Sequence, residues 1–288
     1  MALFPIMYRH NRDRLRTCLM TSLIDAEHLR SFQADGAVCM RRAFSGDWLA
    51  LVEEGIARNM REPSDHASYA DGDTRRFFQD SDNWRRIPEF EAFMRRSPAS
   101  LVAAELMGSS KVNFLHDHVL VKEPGAEKRT PWHQDQPYSP VDGWNFCTMW
   151  LSVDPVPRDI TLEFVAGSHR AGKWYRPQRF VDGSLRENDD PRWEVLPVID
   201  PGDHRIIGWA VEPGDCVIFH GLALHGAAGN ASASRRRRVL STRWTGDDAR
   251  FRRRSGKMSP PPPPTGAPED GAIMDCEAFP VVWRAPPA

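Results

Sequence analysis

The stretch VNFLHDHVLVK, residues 112–122, begins a β-rich region. The region continues with FCTMWLSVD (146–154), LEFVAGSH (162–169), EVLPVI (194–199), RIIGWAV (205–211), DCVIFH (215–220) and VLSTRW (239–244). These runs are rich in β-branched and aromatic residues, and Gly, Pro and Asp separate them, which is typical of many short strands. The series predicts a sandwich or barrel, here a double-stranded β-helix, the cupin-like jelly roll.

Helices are predicted ahead of the strands. The segments AEHLRSFQADG (26–36) and GDWLALVEEGIARNM (46–60) carry apolar residues at helical spacing, and Gly36 stands where a helix C-cap is expected. A short strand, AVCMRRAF (37–44), lies between them, and a further helix is predicted over residues 88–107. The expected fold class is therefore mainly β with added helices, a jelly-roll core behind an N-terminal helical region.

One domain accounts for the whole pattern. Residues 1–22 are expected to form an N-terminal extension, with disorder as one alternative, and residues 23–288 a single jelly-roll domain whose proline run, 260–264, lies on the surface. No apolar run approaches the roughly 20 residues that span a bilayer. The N-terminus has an apolar start followed by arginines, the reverse of a secretory signal, so a cytoplasmic location is predicted, with a transit peptide as the weaker alternative.

Charge and cysteine content limit the possible partners. The 38 Lys and Arg residues nearly balance the 39 Asp and Glu residues, so no global field favours nucleic acid or an anionic membrane. The five cysteines are scattered and lack a CxxC pair, which indicates neither a disulfide framework nor a zinc ribbon.

The motif TPWHQDQPY, residues 130–138, carries candidate metal ligands. His133 and Asp135 are two apart at a predicted strand end, so their side chains are expected to project to the same face. A third ligand, His225 in LALHGAAGN (222–230), follows the apolar strand DCVIF; His220 is its rival within the same segment. Two histidines and a carboxylate on one face of Fe(II) leave positions for a bidentate 2-oxo acid and O2.

A run of four arginines, RRRR at residues 235–238, follows His225 and leads into VLSTRW. The planar guanidinium of arginine suits a carboxylate bidentately. One of the four can face inward and bind the far carboxylate of a dicarboxylate co-substrate.

The series of motifs, in this order, resembles the phytanoyl-CoA dioxygenase (PhyH) family of Fe(II)/2-oxoglutarate oxygenases. The resemblance runs from about residue 23 to residue 283 and includes LRSFQADGAVCMRRAF, DHVLVKEPG, TPWHQDQPY, LEFVAGSHR, PGDCVIFHGLALHGAAGN and RRVLSTRW. It implies that His133, Asp135 and His225 bind iron. Halogenation is not expected, because a carboxylate, Asp135, occupies the metal position that a halide would need.

The resemblance also implies three contacts to 2-oxoglutarate. Counting back from VLSTRW makes Arg237 the family's arginine, whereas counting forward from His225 slightly favours Arg236; strand register is the tighter constraint, so Arg237 is preferred. Trp150 and His118 match positions that contact the co-substrate in relatives. The chain departs from the family at Ala227, where a serine hydroxyl is common.

The function that the resemblance implies is a 2-oxoglutarate-dependent dioxygenase that hydroxylates an unactivated C–H bond of a small molecule and releases succinate and CO2. A jelly-roll metalloprotein that does not use 2-oxoglutarate and a non-catalytic binding module are the alternatives. The arginine pairs 75–76 and 85–86 suggest an anionic substrate if that segment covers the site. Nucleic acid and membranes are not expected partners, and the oligomeric state is not indicated.

Overall fold

The computed structural model describes residues 22–187, 190–261 and 266–287. Residues 1–21 of the predicted extension and residues 262–264 of the proline run lie outside these ranges. Within them the fold is the predicted one, antiparallel β-sheets with helices in the N-terminal part. No helix in the described ranges combines the length and the hydropathy that crossing a bilayer requires.

The N-terminal helical region forms as its pattern predicts. Helix α1 (Ala26–Asp35) starts at Asp25, whose carboxylate accepts hydrogen bonds from the backbone N–H groups of Glu27 and His28, each 2.9 Å long. It ends at Gly36, which adopts the left-handed conformation with φ 81°. Strand β1 (Ala37–Met40) and helix α2 (Gly46–Arg61) follow.

The single helix predicted over residues 88–107 is two helices, α3 (Pro88–Arg96) and α4 (Ala99–Met107). The break falls at Ser97, where ψ is 164°, because the ring of Pro98 disfavours a helical conformation in the preceding residue. Helix α3 packs on α2 through Gly55, the position at which a side chain would meet the Phe90 ring.

A large antiparallel sheet carries most of the strands. Besides β1 it contains β2 (Ser68–Tyr69), β3 (Phe77–Ser81), β4 (Lys111–Lys122), β7 (Phe146–Ser152), β10 (Cys216–His220), β12 (Arg237–Thr245) and β14 (Val281–Arg284). In the described part of the chain the strand order is β1, β10, β7, β12, β4, β3, β2, and β14 also pairs with β4. The polar and aromatic segment 71–84 contains a paired strand, β3.

A second sheet faces the first and consists of β5 (Thr130–His133), β8 (Leu162–Val165), β9 (Ile206–Ile207) and β11 (His225–Ala227). Its strand order is β5, β11, β8, β9. A separate pair joins β6 (Val141–Asp142) to β13 (Arg250–Phe251). The run 194–199 forms no strand: Pro197 lacks a backbone donor, and Val198 is 95% exposed.

The large sheet is covered on both faces. One apolar cluster joins the helices to one face and includes Trp48, Phe93, Met149 and Trp244. The other cluster, with Trp150, Phe164, Val217 and Phe219 among its members, lies between the two sheets. Side chains that alternate onto the inner face of β12, β7 and β4 therefore point toward the small sheet, which sets the position of the site described below.

Two glycines of α2 provide a matched test of the α2–α3 packing. A Cβ at residue 55 would lie 2.5 Å from Phe90 Cε1, whereas one at residue 46 meets nothing within 4 Å. We expect Gly55→Ala to lower the free energy of unfolding by about 1–3 kcal/mol through overpacking, measured by urea denaturation. Gly46→Ala is expected to leave stability unchanged or slightly raised. Equal effects of the two substitutions would contradict this account of the packing.

Candidate metal centre and adjoining cavity

Three predicted ligand residues meet between the sheets. His133 ends β5, His225 begins β11, and the two stand opposite each other in the antiparallel register, with ring centroids 4.1 Å apart. Asp135 Oδ1 lies 3.4 Å from His133 Nε2 and 3.7 Å from His225 Nε2. One ligand atom from each residue can be chosen so that all lie within 4.8 Å of one another, and all three residues are buried.

Asp135 reaches the two imidazoles, but not through the alternation of side chains along a strand that the sequence predicts. Strand β5 ends at His133, and Asp135 has helical dihedrals (φ −77°, ψ −41°) at the start of the 3₁₀ turn Gln136–Tyr138. The turn, rather than the pleat, brings the carboxylate back toward the imidazoles.

Backbone carbonyls orient both imidazoles. His133 Nδ1 lies 2.8 Å from the carbonyl oxygen of Pro131, and His225 Nδ1 lies 3.0 Å from that of Ala223. A carbonyl only accepts, so each Nδ1 carries the proton and donates it. Each Nε2 therefore offers its lone pair to the common centre, as second partners do for metal-binding histidines.

Two side chains of the large sheet hold the other oxygen of Asp135. Thr148 Oγ1 donates to Asp135 Oδ2 over 2.8 Å, and Arg243 Nη2 donates to the same atom over 3.1 Å. Burial alone would raise the pKa of Asp135, but the Arg243 guanidinium outweighs it and holds that pKa well below its usual range. Oδ2 is thus held by the protein, which leaves Oδ1 directed at the imidazoles.

Sequence reasoning missed Thr148 and Arg243, although a signal was present. Thr148 lies two residues before Trp150 on β7, and Arg243 lies six residues after Arg237 on β12. Even spacing places each on the same sheet face as its predicted neighbour. Following that alternation from Arg237 and Trp150 would have found both.

The donor set fits a divalent transition metal. Burial and the neighbouring His133 lower the pKa of His225 to about 3, so its imidazole is neutral near pH 7. Two neutral imidazole nitrogens and one carboxylate oxygen are the ligands of the facial triad found in non-haem iron(II) enzymes. His220, the rival candidate, is committed elsewhere: its Nε2 donates to the Trp144 carbonyl over 2.9 Å, and its Nδ1 accepts from Leu222 N over 3.0 Å.

A cavity of about 960 Å³ adjoins the triad, and Arg237 lines it. The Arg237 side chain is buried; its Nη1 donates to the Ile160 carbonyl, and its Cζ lies 5.8 Å from the Trp150 ring centroid. Within the described ranges Arg237 forms no ion pair, and its Nε has no hydrogen-bond partner. Burial lowers the Arg237 pKa to about 10, so the side chain remains a cation at neutral pH. An unpaired buried cation fits a carboxylate of a bound ligand.

The neighbouring arginines of the run point elsewhere. Arg236 pairs with Glu123 over 2.7 Å at the surface, and Arg238 pairs with Asp154 over 2.6 Å. The structure therefore places Arg237, rather than Arg236, at the cavity. His118 and Trp150 line the same cavity, and Ala227 lines it without a hydroxyl. The roles of His118 and Trp150 toward a co-substrate stay predictions.

The arginines that suggested an anionic substrate do not line the cavity. Arg76 donates to the Pro124 carbonyl, Arg85 to the Ala278 carbonyl over 2.9 Å, and Arg86 to Asn83 Oδ1 over 2.6 Å. Arg75 lies over the Tyr69 ring, 4.4 Å from its centroid. Their positions give that suggestion no support.

A flap, residues 173–187, covers one side of the cavity. Its Phe180 ring lies 4.8 Å from the His133 ring, and Tyr138 Oη accepts a 2.9 Å hydrogen bond from Gln178 N. Gln134 connects the flap to the metal site. Its Nε2 donates to the carbonyls of Lys173 and Leu222, and its Oε1 accepts from Tyr175 N, each over 3.0 Å.

A buried lysine, Lys122, stands opposite Arg237. Lys122 is its register partner on β4, and Lys122 Nζ donates to the carbonyls of Lys128 and Ala228 over 2.8 and 3.0 Å. Burial first, and the Arg237 charge second, lower the Lys122 pKa to about 6. Lys122 is therefore mostly neutral near pH 7, and Arg237 carries the charge of the pair.

Comparisons with known proteins agree with this description. The sequence profile of the family described as "Phytanoyl-CoA dioxygenase (PhyH)" matches residues 32–239. A "Probable phytanoyl-CoA dioxygenase" of Caenorhabditis elegans is 28% identical over 163 residues, which are 51% of this chain and 47% of that protein. The "Phytanoyl-CoA dioxygenase, peroxisomal" of Mus musculus is 26% identical over 155 residues, 49% of this chain and 42% of that protein. The chain spans about half the length of these curated relatives.

Solved structures share the fold. The epimerase SnoN, in a crystal structure with Fe3+, alpha ketoglutarate and nogalamycin RO, superposes with a TM-score of 0.71 at 18% identity, over 89% of this chain and 98% of SnoN. At this identity the likeness establishes the jelly-roll fold alone.

The hydrogen bonds that Thr148 and Arg243 donate to Asp135 Oδ2 are expected to strengthen metal binding. Thr148→Val removes the hydroxyl that donates to Oδ2 without changing the side-chain volume, and we expect about a tenfold weaker affinity for Co(II), because outer partners that orient ligands contribute about that much. Isothermal titration calorimetry measures it. The control is Thr161→Val, since the buried Thr161 hydroxyl has no partner in the described residues. Unchanged Co(II) affinity in Thr148→Val would contradict the assigned role.

The buried Lys122 predicts how stability depends on pH. Its pKa is about 6 in the native protein, against an ordinary 10.5, so between these values the unfolded chain binds the additional proton and stability rises with pH. From about pH 7 to about pH 9 we expect the unfolding free energy of the wild type to rise relative to Lys122→Met by about 1.4 kcal/mol per pH unit. Urea denaturation across this range measures both slopes, and the two carbonyls left without a donor add only a constant offset. Parallel slopes would refute the lowered pKa.

Proposed function

The chain belongs to the phytanoyl-CoA dioxygenase family, and on that premise we propose that it is an Fe(II)- and 2-oxoglutarate-dependent dioxygenase acting on a small molecule. One observation carries the proposal: the buried, unpaired Arg237 lines the same cavity as the His133, Asp135 and His225 cluster. A metal triad alone would suit many jelly-roll proteins. A dicarboxylate ligand explains both the metal donors and the distant cation.

In the proposed enzyme His133 Nε2, His225 Nε2 and Asp135 Oδ1 hold Fe(II), and Arg237 pairs with the far carboxylate of 2-oxoglutarate. When bound, the metal and its co-substrate supply oxidative decarboxylation with O2, which yields succinate and CO2 and oxidises a C–H bond of the substrate. Trp150 forms a wall of the co-substrate pocket beside the Arg237 guanidinium.

The rest of the chain's contribution is position and exclusion of water. Thr148 and Arg243 hold one oxygen of Asp135, so that the carboxylate presents the other. Phe180 and Tyr138, whose ring centroids are 5.9 Å apart, both pack edge-on against the His133 ring. A site closed by these rings directs oxidation to a bound substrate rather than to solvent.

Hydroxylation is the proposed outcome, because it is the reaction that the family resemblance implies. Epimerisation is the second candidate, since a structure with the same fold is described as an epimerase with alpha ketoglutarate. A single jelly-roll domain in a cytoplasmic setting is part of the proposal; curated relatives from Mus musculus, Rattus norvegicus, Bos taurus and Homo sapiens are described as peroxisomal.

The test is an anaerobic titration of Fe(II)-loaded protein with 2-oxoglutarate, in which bidentate chelation produces a weak visible charge-transfer band. We expect the band in the wild type, its loss in His225→Ala, and a much higher half-saturating 2-oxoglutarate concentration in Arg237→Ala, because the carboxylate loses its guanidinium partner. Arg236→Ala is the matched control, since Arg236 pairs with Glu123 at the surface and should leave the titration unchanged.

Two outcomes would replace the proposal. Folded protein that binds Fe(II) but gives no band supports a metal enzyme that works without 2-oxoglutarate. A band without succinate under air, with any substrate, supports a binding module. Succinate release coupled to an oxygenated product, or to an epimerised one, separates the two candidate reactions.

A further inference from the structure

The inner face of the large sheet forms one wall of the cavity, and the side chains of this wall differ on the two sides of β12. On the side of β7 and β10, the cavity wall is aromatic and apolar, with Trp150 and Phe219, and Arg237 is its cation. On the side of β4, β3 and β2, the cavity-lining residues include Ser68, Gln79, Ser81 and His116, which we call the polar floor. His118 lies between Ser81 and Ser241 in the register and so borders both halves.

The polar floor runs inward from the surface toward the metal site. Ser68 is exposed, Gln79 and Ser81 are half-buried, and His116 is buried opposite Arg243, its register partner. Arg243 in turn contacts Asp135. A substrate lying on the floor therefore reaches from the cavity mouth to the triad.

Much of the hydrogen-bonding capacity of the floor is unused. Gln79 Nε2 donates to Ser68 Oγ over 3.0 Å, but Gln79 Oε1 and the Ser81 hydroxyl have no partner in the described residues. His116 Nδ1 lies 3.0 Å from the Asp117 carbonyl and so carries the proton, and its Nε2 is buried without a partner there. The Gln79 oxygen and the Ser81 hydroxyl are half-buried and open to a ligand, and the buried His116 Nε2 favours a ligand that supplies a donor.

The floor is also uncharged. Where β2, β3 and β4 line the cavity, none of their side chains is acidic or basic apart from the two histidines. Burial lowers the pKa of His116 well below its usual value and that of His118 to about 3, so both are neutral near pH 7. The floor therefore does not suit an ionic group, which would need a counter-charge. Phe77 and Leu120, from the same strands, add apolar surface beside its polar side chains.

We propose that the polar floor binds a neutral, hydroxyl-rich part of the substrate, such as a sugar ring, and holds it beside the metal triad. Hydroxyl groups both donate and accept, which matches an amide oxygen, a serine hydroxyl and an unprotonated imidazole nitrogen in a row. Phe180 and Tyr138 offer an apolar surface from the flap side for the C–H face of such a ring. This inference rests on the proposed function, because it takes the cavity as the substrate site.

The test uses the anaerobic protein loaded with Fe(II) and 2-oxoglutarate, whose visible band changes when a substrate-like molecule enters the site. The probes are the methyl glycopyranosides of glucose, galactose, mannose and rhamnose, compared with decanoyl-coenzyme A. We expect at least one glycoside at millimolar concentration to shift the band, and decanoyl-coenzyme A to leave it in place.

Variants of the floor assign the effect. Gln79→Leu and Ser81→Ala should each weaken the response to that glycoside about fivefold, the effect of one lost hydrogen bond. Both should keep the band with 2-oxoglutarate alone, which also reports an intact fold. The control is Ser110→Ala, which lies outside the cavity lining and whose hydroxyl already donates to Asp247 over 3.0 Å; it should leave the response unchanged.

The outcomes separate the two proposals. Absence of the band with 2-oxoglutarate overturns the proposed function. If the band is normal, three results overturn only the assignment of the floor. No glycoside shifts the band, decanoyl-coenzyme A shifts it instead, or Gln79→Leu and Ser81→Ala leave the response to the glycoside unchanged.

Discussion

The register of β5 against β11 is the constraint on which the site depends. Because His133 and His225 are direct partners on antiparallel strands, their rings stand side by side on one face, and a shift of one residue would send either ring to the opposite face of the sheet. The large sheet completes the arrangement from the other side, since its Thr148 and Arg243 hold Asp135. The metal site is therefore a property of the packing of two sheets, and neither sheet forms it alone.

The two buried arginines on the inner face of β12 differ in whether a carboxylate balances their charge. Arg243 is a buried cation whose charge Asp135 balances, whereas Arg237 is a buried cation that no carboxylate of the described chain balances. Burying a charge without a partner opposes folding. A fold that keeps the charged Arg237 in its interior gives up stability in the free protein and recovers it when an anionic ligand binds.

The sequence was sufficient to predict the parts that depend on local patterns. Strand-like runs gave the jelly roll, Gly36 marked the end of α1, and the HxD motif with a distant histidine identified the three residues that the structure brings together. It was misleading wherever a turn or a proline overrode periodicity. Pro98 divided a predicted helix, Pro197 lies in an exposed run that forms no strand, and Asp135 converges through a 3₁₀ turn. Alternation along β7 and β12 places Thr148 and Arg243 on the inner face, but only the pairing of these two strands shows that they meet at Asp135.

The position of Gln134 between two candidate ligands couples the metal centre to the flap. Its side chain points away from the metal site and uses its amide to hold both the start of the flap and the turn that precedes His225. The residue that spaces His133 from Asp135 is thus also the anchor of the flap. A metal that fixed these two side chains would fix the anchor as well, so the cover and the centre would share one support.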